Sequence, residues 1–98
     1  MRRRIGVAAT AQFGGDVLER LATRHEIAFL LTRPDAPRGR GRRMAAPPAK
    51  AVAERLGARV LQRERPEIED VDVMIVAAYG LLIPDALLDR ALWLNVHP

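Results

Sequence analysis

The run from Val71 to Ala78 is apolar at every position but Asp72. A stretch this short and this apolar has no face to give to water. It reads as a strand covered on both sides, the environment found inside a parallel sheet. Parallel neighbours cannot be joined by tight hairpins. They need crossover connections over the faces of the sheet, usually helices. This one run therefore favours an α/β fold over a bundle or a sandwich.

The rest of the chain supplies the crossovers. Ile5-Gly6-Val7-Ala8-Ala9 reads as a second buried strand. A glycine-rich turn, Thr10 to Gly15, follows it, and Asp16 is expected to cap a helix running to about Thr23, with Val17, Leu18 and Leu21 on one face. Ile27 to Leu31 is another buried strand, completing a β-α-β unit. Thr32 to Pro48 carries Pro34, Pro37, Gly39, Gly41, Pro47 and Pro48 and no periodicity, so a long loop is expected there. Pro47-Pro48 can open a helix through Leu56, which Gly57 stops. Arg59-Val60-Leu61 reads as a short strand near an edge, and the charged segment Arg63 to Asp70 holds at most a helical turn. Pro84-Asp85 starts a short helix through about Leu88. A last strand is expected to hold Asn95 and His97. The predicted fold is a doubly wound, mostly parallel α/β sheet. Ligands of such sheets sit beyond the carboxyl ends of the strands. The turn after Ala9, the loop after Ala78 and the Asn95/His97 pair all fall at those ends.

Charge is concentrated rather than spread. Arg33, Arg38, Arg40, Arg42 and Arg43 stand against Asp35 alone, a local surplus that accounts for the whole net charge of +4. A Gly/Arg-rich segment of this kind suits phosphate contacts, and equally a solvated loop. It has no aromatics for base stacking, so any nucleic-acid contact would be mainly to phosphates and salt-sensitive. The sequence has no cysteine, which excludes a disulfide framework and thiolate metal sites and fits a reducing compartment. The basic start Met1-Arg2-Arg3-Arg4 is followed by too short an apolar run for a signal peptide. No run approaches a membrane span. A soluble, cytoplasmic protein is expected. Gly-x-Gly-x-x-Gly is absent after the first strand, and no G-x-x-x-x-G-K-[ST] occurs, which argues against dinucleotide cofactors and triphosphatase chemistry.

Asn95 and His97 are two residues apart, so within a strand both would project from one face. An amide donor can stabilise a developing oxyanion and an imidazole can move protons near neutral pH, a workable pair for acyl transfer. The same two residues could simply cap a strand end, and residue chemistry alone leaves both readings open. Tyr79-Gly80-Leu81-Leu82-Ile83-Pro84 could be plain packing, or an apolar wall with free backbone groups that grips a flat heterocycle.

Taken together, Thr32 to Arg43, Ala78 to Pro84 and Asn95-Val96-His97-Pro98 resemble, in order and approximate spacing, the methionyl-tRNA formyltransferase family. The arginine segment is the specific part, because Asn-x-His-Pro is shared with other folate-dependent formyltransferases. The resemblance implies a Rossmann-like formyltransferase fold. It also implies transfer of a formyl group from 10-formyltetrahydrofolate to the amino group of methionyl initiator tRNA, with no metal. By that resemblance Asn95 matches the oxyanion-stabilising Asn and His97 the catalytic His. Tyr79, Gly80, Leu81, Leu82, Ile83 and Pro84 would line the pteridine pocket, largely through backbone. Arg38, Gly39, Arg40, Gly41, Arg42, Arg43 and Met44 would match the loop that enters the acceptor end of the tRNA.

The family continues beyond Asn-x-His-Pro into a Ser-Leu-Leu-Pro segment, a catalytic Asp and a C-terminal β-barrel that grips tRNA. Residues 1–98 are thus expected to be the N-terminal part of a catalytic domain. The intact protein is expected to be a monomer, and the shorter chain inactive alone and prone to self-association. Two other functions fit part of the sequence. One is a non-catalytic RNA-binding fragment acting through Arg33 to Arg43. The other is a formyltransferase for a sugar or ribonucleotide amine, against which the arginine segment argues.

Overall fold

The structure is a computed structural model that describes residues 3–98; Met1 and Arg2 of the basic start lie outside the described residues. The elements in chain order are β1 (Ile5–Ala9), α1 (Gln12–Ala22), β2 (Ile27–Thr32), β3 (Ala36–Arg38), β4 (Arg43–Ala45), α2 (Pro48–Arg55), β5 (Arg59–Gln62), β6 (Val73–Ala77), α3 (Asp85–Leu88) and β7 (Leu92–Asn95). Five strands form one sheet in the order β5-β2-β1-β6-β7, and every pairing in it is parallel. The expected α/β class and doubly wound arrangement are what the chain adopts.

The winding explains the layers. From β1 the chain steps outward to β2 and β5, then returns to the other side of β1 for β6 and β7. Crossovers between parallel strands are right-handed, so reversing the direction of travel moves the connecting helix to the opposite face. Accordingly Leu18 of α1 and Ala49, Val52 and Ala53 of α2 pack with Ile5, Val7, Leu30, Val73 and Ile75 on one face. Leu87 of α3 packs with Ala8, Phe29, Leu31 and Met74 on the other. Alternate residues of each strand supply the two cores, as the pleat requires. The switch of direction falls between β1 and β6, beside the turn after Ala9.

Three expectations need correction. Thr32 to Pro48 is not structureless: β3 and β4 pair antiparallel, Ala36 with Ala45 and Arg38 with Arg43. The turn closes because Gly39, Gly41 and Arg42 all take left-handed φ values (66°, 81° and 53°), which two glycines allow without strain. Helix α1 starts at Gln12, not at Asp16, and has no side-chain cap. Gly14 and Gly15 lie within it, both buried. A Cβ at Gly14 would run into the carbonyl oxygen of Ala77 and the Cβ of Ala9, so the glycine lets α1 sit directly on the seam between β1 and β6. Lastly, β7 ends at Asn95, and His97 lies beyond it. Its neighbour β6 ends at Ala77, and Ala78 turns left-handed (φ 54°), so His97 has no ladder partner.

Both edges of the sheet are exposed to different degrees. β5 carries Arg59, paired with Glu69 at 2.9 Å, and charge of this kind blunts an edge. β7 instead exposes Leu92 (57%) and Leu94 (47%). No helix of the described residues is long and apolar enough to cross a membrane.

Candidate active site

Because all five strands run the same way, their carboxyl ends share one rim. Thr10 follows β1 there, Arg33 follows β2, Ala78 to Gly80 follow β6, and Val96 to Pro98 follow β7. The register ties these positions together: Ala9 lies opposite Ala77, and Val76 opposite Asn95.

The centre of the rim is a hydrogen-bonded knot. The N–H groups of Thr10 and Ala11 both donate to the Ala78 carbonyl, at 3.0 and 3.3 Å. Thr10 Oγ1 donates to the Tyr79 carbonyl at 2.6 Å. The Thr10 carbonyl in turn accepts from Ala49 N–H at the start of α2, at 3.0 Å. Ala78, a residue with a Cβ, is held in the left-handed region by these bonds. That conformation costs about 1–2 kcal/mol. Sequence reasoning did not single out Thr10 as a site residue, and it placed Arg33 only within the basic segment, not at the rim. Their signal was position: each is the first or second residue past a buried strand.

Tyr79 points inward. It is 2% exposed, packed with Phe29, Leu31, Ile68 and Leu87. Its hydroxyl has no hydrogen-bond partner among the described residues. Burial pushes its pKa above the ordinary value, opposed by the nearby Arg33 guanidinium. Past it the chain opens outward. Gly80 takes φ 88° and is exposed, and Leu82 is 93% exposed. Gly80, Leu81, Leu82 and Ile83 make no hydrogen bond among the described residues. The segment therefore offers unpaired backbone groups beside apolar side chains, while the Tyr79 ring belongs to the core.

Asn95 closes β7, and the Val96 N–H donates to the Val76 carbonyl at 2.8 Å. Asn95 and His97 are both exposed, and neither side chain is engaged by a described residue. The rim brings their backbone beside the end of β6, next to the Ala78–Gly80 turn.

The arginines stand on the hairpin. Arg38 ends β3, Gly39 to Arg42 form the tip, and Arg43 and Met44 open β4. None of Arg38, Arg40, Arg42 and Arg43 is ion-paired among the described residues, and Met44 is 65% exposed. Asp35 is turned away from them. It accepts from Gln62 Nε2 at 2.7 Å and from Lys50 Nζ at 3.4 Å. The Gln62 bond, helped by Lys50 and opposed by burial, holds its carboxyl below the usual range. No group of three or more His, Cys, Asp or Glu side chains that could hold a metal ion occurs among the described residues.

Comparison with known proteins bears on this rim. A family model described as formyl transferase matches residues 3–98. The methionyl-tRNA formyltransferase of Neisseria meningitidis is 41% identical over 104 residues, covering 92% of this chain and 33% of that protein. Those of Chromobacterium violaceum and Thiobacillus denitrificans are each 42% identical, over 92% and 96% of this chain and 34% of theirs. The chain spans about a third of the length of the curated relatives it matches.

Proposed function

The chain belongs to the formyl transferase family, and we propose that it carries the N-terminal part of a domain that formylates methionyl initiator tRNA from 10-formyltetrahydrofolate. The observation that carries this reading is the shared rim. Parallel strands end β1, β6 and β7 at one edge, so the chain positions of Asn95, His97 and the open Gly80–Ile83 segment fall on the same rim, which supports this reading.

The residues present fit the folate donor. Gly80 to Ile83 leave backbone donors and acceptors unpaired, which suits a flat heterocycle read through main-chain groups. When bound, the donor supplies an electrophilic formyl carbon. Asn95 would donate its amide N–H to the formyl oxygen during attack by the substrate amine. His97 would take the proton that the amine loses and pass it to N10 of the folate as the N10–formyl bond breaks and tetrahydrofolate leaves. Arg38 to Met44 engage RNA phosphates near the acceptor end. The catalytic Asp and a further tRNA-binding domain belong, in this reading, to sequence beyond residues 1–98.

The test joins residues 1–98 to the remaining part of the Chromobacterium violaceum relative and assays formylation of methionyl-tRNA. Activity is expected, with Asn95→Ala lowering it about 10²–10³-fold. A folded chimera whose Asn95→Ala and His97→Ala forms work as well as the parent would sink the assignment. Arg40→Ala in the same chimera tests the loop: full activity on tRNA would exclude a role for Arg40 in holding the RNA.

A further inference from the structure

A cleft of about 230 Å³ lies between the hairpin and the body of the domain, lined among others by Thr10, Arg33, Pro34, Pro37, Arg38 and Pro47. Only Arg33 and Arg38 among its lining residues carry charge. Asp35, which lies between them in the chain, spends its carboxylate on Gln62 and Lys50 and does not line the cleft. Neither guanidinium forms an ion pair among the described residues. Arg33 also reaches the site rim: its Nη1 lies 3.5 Å from where a Cβ on Gly80 would stand.

The walls contribute almost no competing donors. Pro34, Pro37, Pro47 and Pro48 have no N–H. The Thr10 hydroxyl already donates to Tyr79, and the first N–H groups of α2, on Ala49 and Lys50, already donate to the Thr10 and Pro47 carbonyls. What remains is a small space with rigid apolar sides whose only charged lining residues are Arg33 and Arg38. A guanidinium matches a phosphate bidentately and keeps its charge at all physiological pH. Ligand pockets usually run from about 300 Å³ upward, so this cleft suits one compact group carried on a larger molecule.

We propose that the Arg33/Arg38 cleft is a phosphate subsite, and that its occupant is a single backbone phosphodiester next to the 3′ end of the acceptor RNA. This rests on the RNA reading given above. The hairpin tip, with Arg40 and Arg42, then holds the RNA at large. The cleft sets how far its reactive terminus lies from Gly80 and the rim.

Two measurements on the 98-residue chain test this separately from that reading. In the first, inorganic phosphate is titrated into ¹⁵N-labelled protein at constant ionic strength. The Arg33 and Arg38 Nε–H resonances should shift together and saturate, and Arg33→Gln should abolish the shift at Arg38. Equal drift of all hairpin arginines would show screening alone and overturn the subsite. In the second, a four-nucleotide RNA is compared with the same RNA carrying a neutral methylphosphonate at its last linkage. Wild type should bind the neutral form about tenfold more weakly. Arg33→Gln and Arg38→Gln should each lose about as much and then stop distinguishing the two RNAs. If both RNAs bind wild type equally while phosphate still shifts the two arginines, the anion site stands and its RNA occupant is overturned. Formylation by the chimera is unaffected by that result, so the two readings fail independently.

Discussion

Thr10 Oγ1 donates to the main-chain carbonyl of Tyr79 across 69 residues of sequence, at 2.6 Å. The bond joins the turn after β1 to the turn after β6 at the point where the sheet reverses its winding. Replacing Thr10 with the near-isosteric Val leaves the Tyr79 carbonyl without its partner. Thr10→Val is expected to cost about 1–3 kcal/mol in urea unfolding, and Thr10→Ser to recover most of it. A Thr10→Val protein as stable as wild type would show that the knot does not hold the rim.

Gly14 tests the seat of α1. An added methyl meets the Ala77 carbonyl and Ala9, both part of the sheet. Gly14→Ala is expected to lower stability by about 3 kcal/mol or more, at the upper end of overpacking costs. Gly15→Ala would place its methyl 3.1 Å from Val52 Cγ2, a side chain that can shift. Its cost should be much smaller, offset in part by the better helix propensity of Ala. Thermal melts of the two variants give the comparison, and equal melting temperatures would contradict the packing described.

Tyr79 is the only tyrosine in the sequence, so its ionisation can be read directly by absorbance. Burial raises its pKa above 10.0, against the pull of Arg33. The neutral form is therefore the one that folding favours. Its contribution is whole below the ordinary pKa and is lost as pH climbs toward and through the raised value. The absorbance titration should lag that of free tyrosine, and Tyr79→Phe should melt no lower than wild type, since it removes a buried hydroxyl with no described partner. A midpoint at the free value would show the ring to be open to solvent.

Asp35 gives the opposite sign. Its pKa lies below 3.8 because Gln62 donates to it, with Lys50 adding to the effect and burial opposing. The stabilisation is present above the unfolded value and fades as pH falls through the depressed one. Gln62→Ala should return the Asp35 pKa toward its ordinary value in a ¹³C carboxyl titration. No movement would mean that the Gln62 contact is not what holds the base of the hairpin.

The bare edge of β7 makes a further expectation measurable. Leu92 and Leu94, on alternate positions of β7, and Val96 just past it are 57%, 47% and 36% exposed, along an edge with one free side. The 98-residue chain should self-associate at high concentration, and Leu94→Thr should weaken that association. Sedimentation showing monomer at all concentrations would rule it out.

How much of this could be read from residues alone varies with the cause. Ile5–Ala9 was legible to the residue, because an uninterrupted apolar run has only one place to go in a domain this small. The end of α1 was legible and its start was not. Gly14 and Gly15 look like a turn locally, and the reasons for them, the contact of Gly14 with Ala77 and of Gly15 with Ala49 and Val52, lie more than thirty residues away. The β3–β4 hairpin was invisible because its three-residue strands bury no face and Pro37 sits inside one of them. At the rim, Asn95, His97 and the Tyr79–Pro84 stretch stood out by residue type. Thr10 did not, since a lone threonine carries no pattern until the strands that end beside it are in register, and Arg33 stood out only as part of the basic segment.

The hairpin forms its own two-stranded sheet, separate from the five-stranded one, and none of its arginines supports the core. It stands apart from the scaffold as a small module of its own. The number and placement of its cations can change without disturbing either core, so the charge the hairpin presents and the durability of the fold can vary as independent traits.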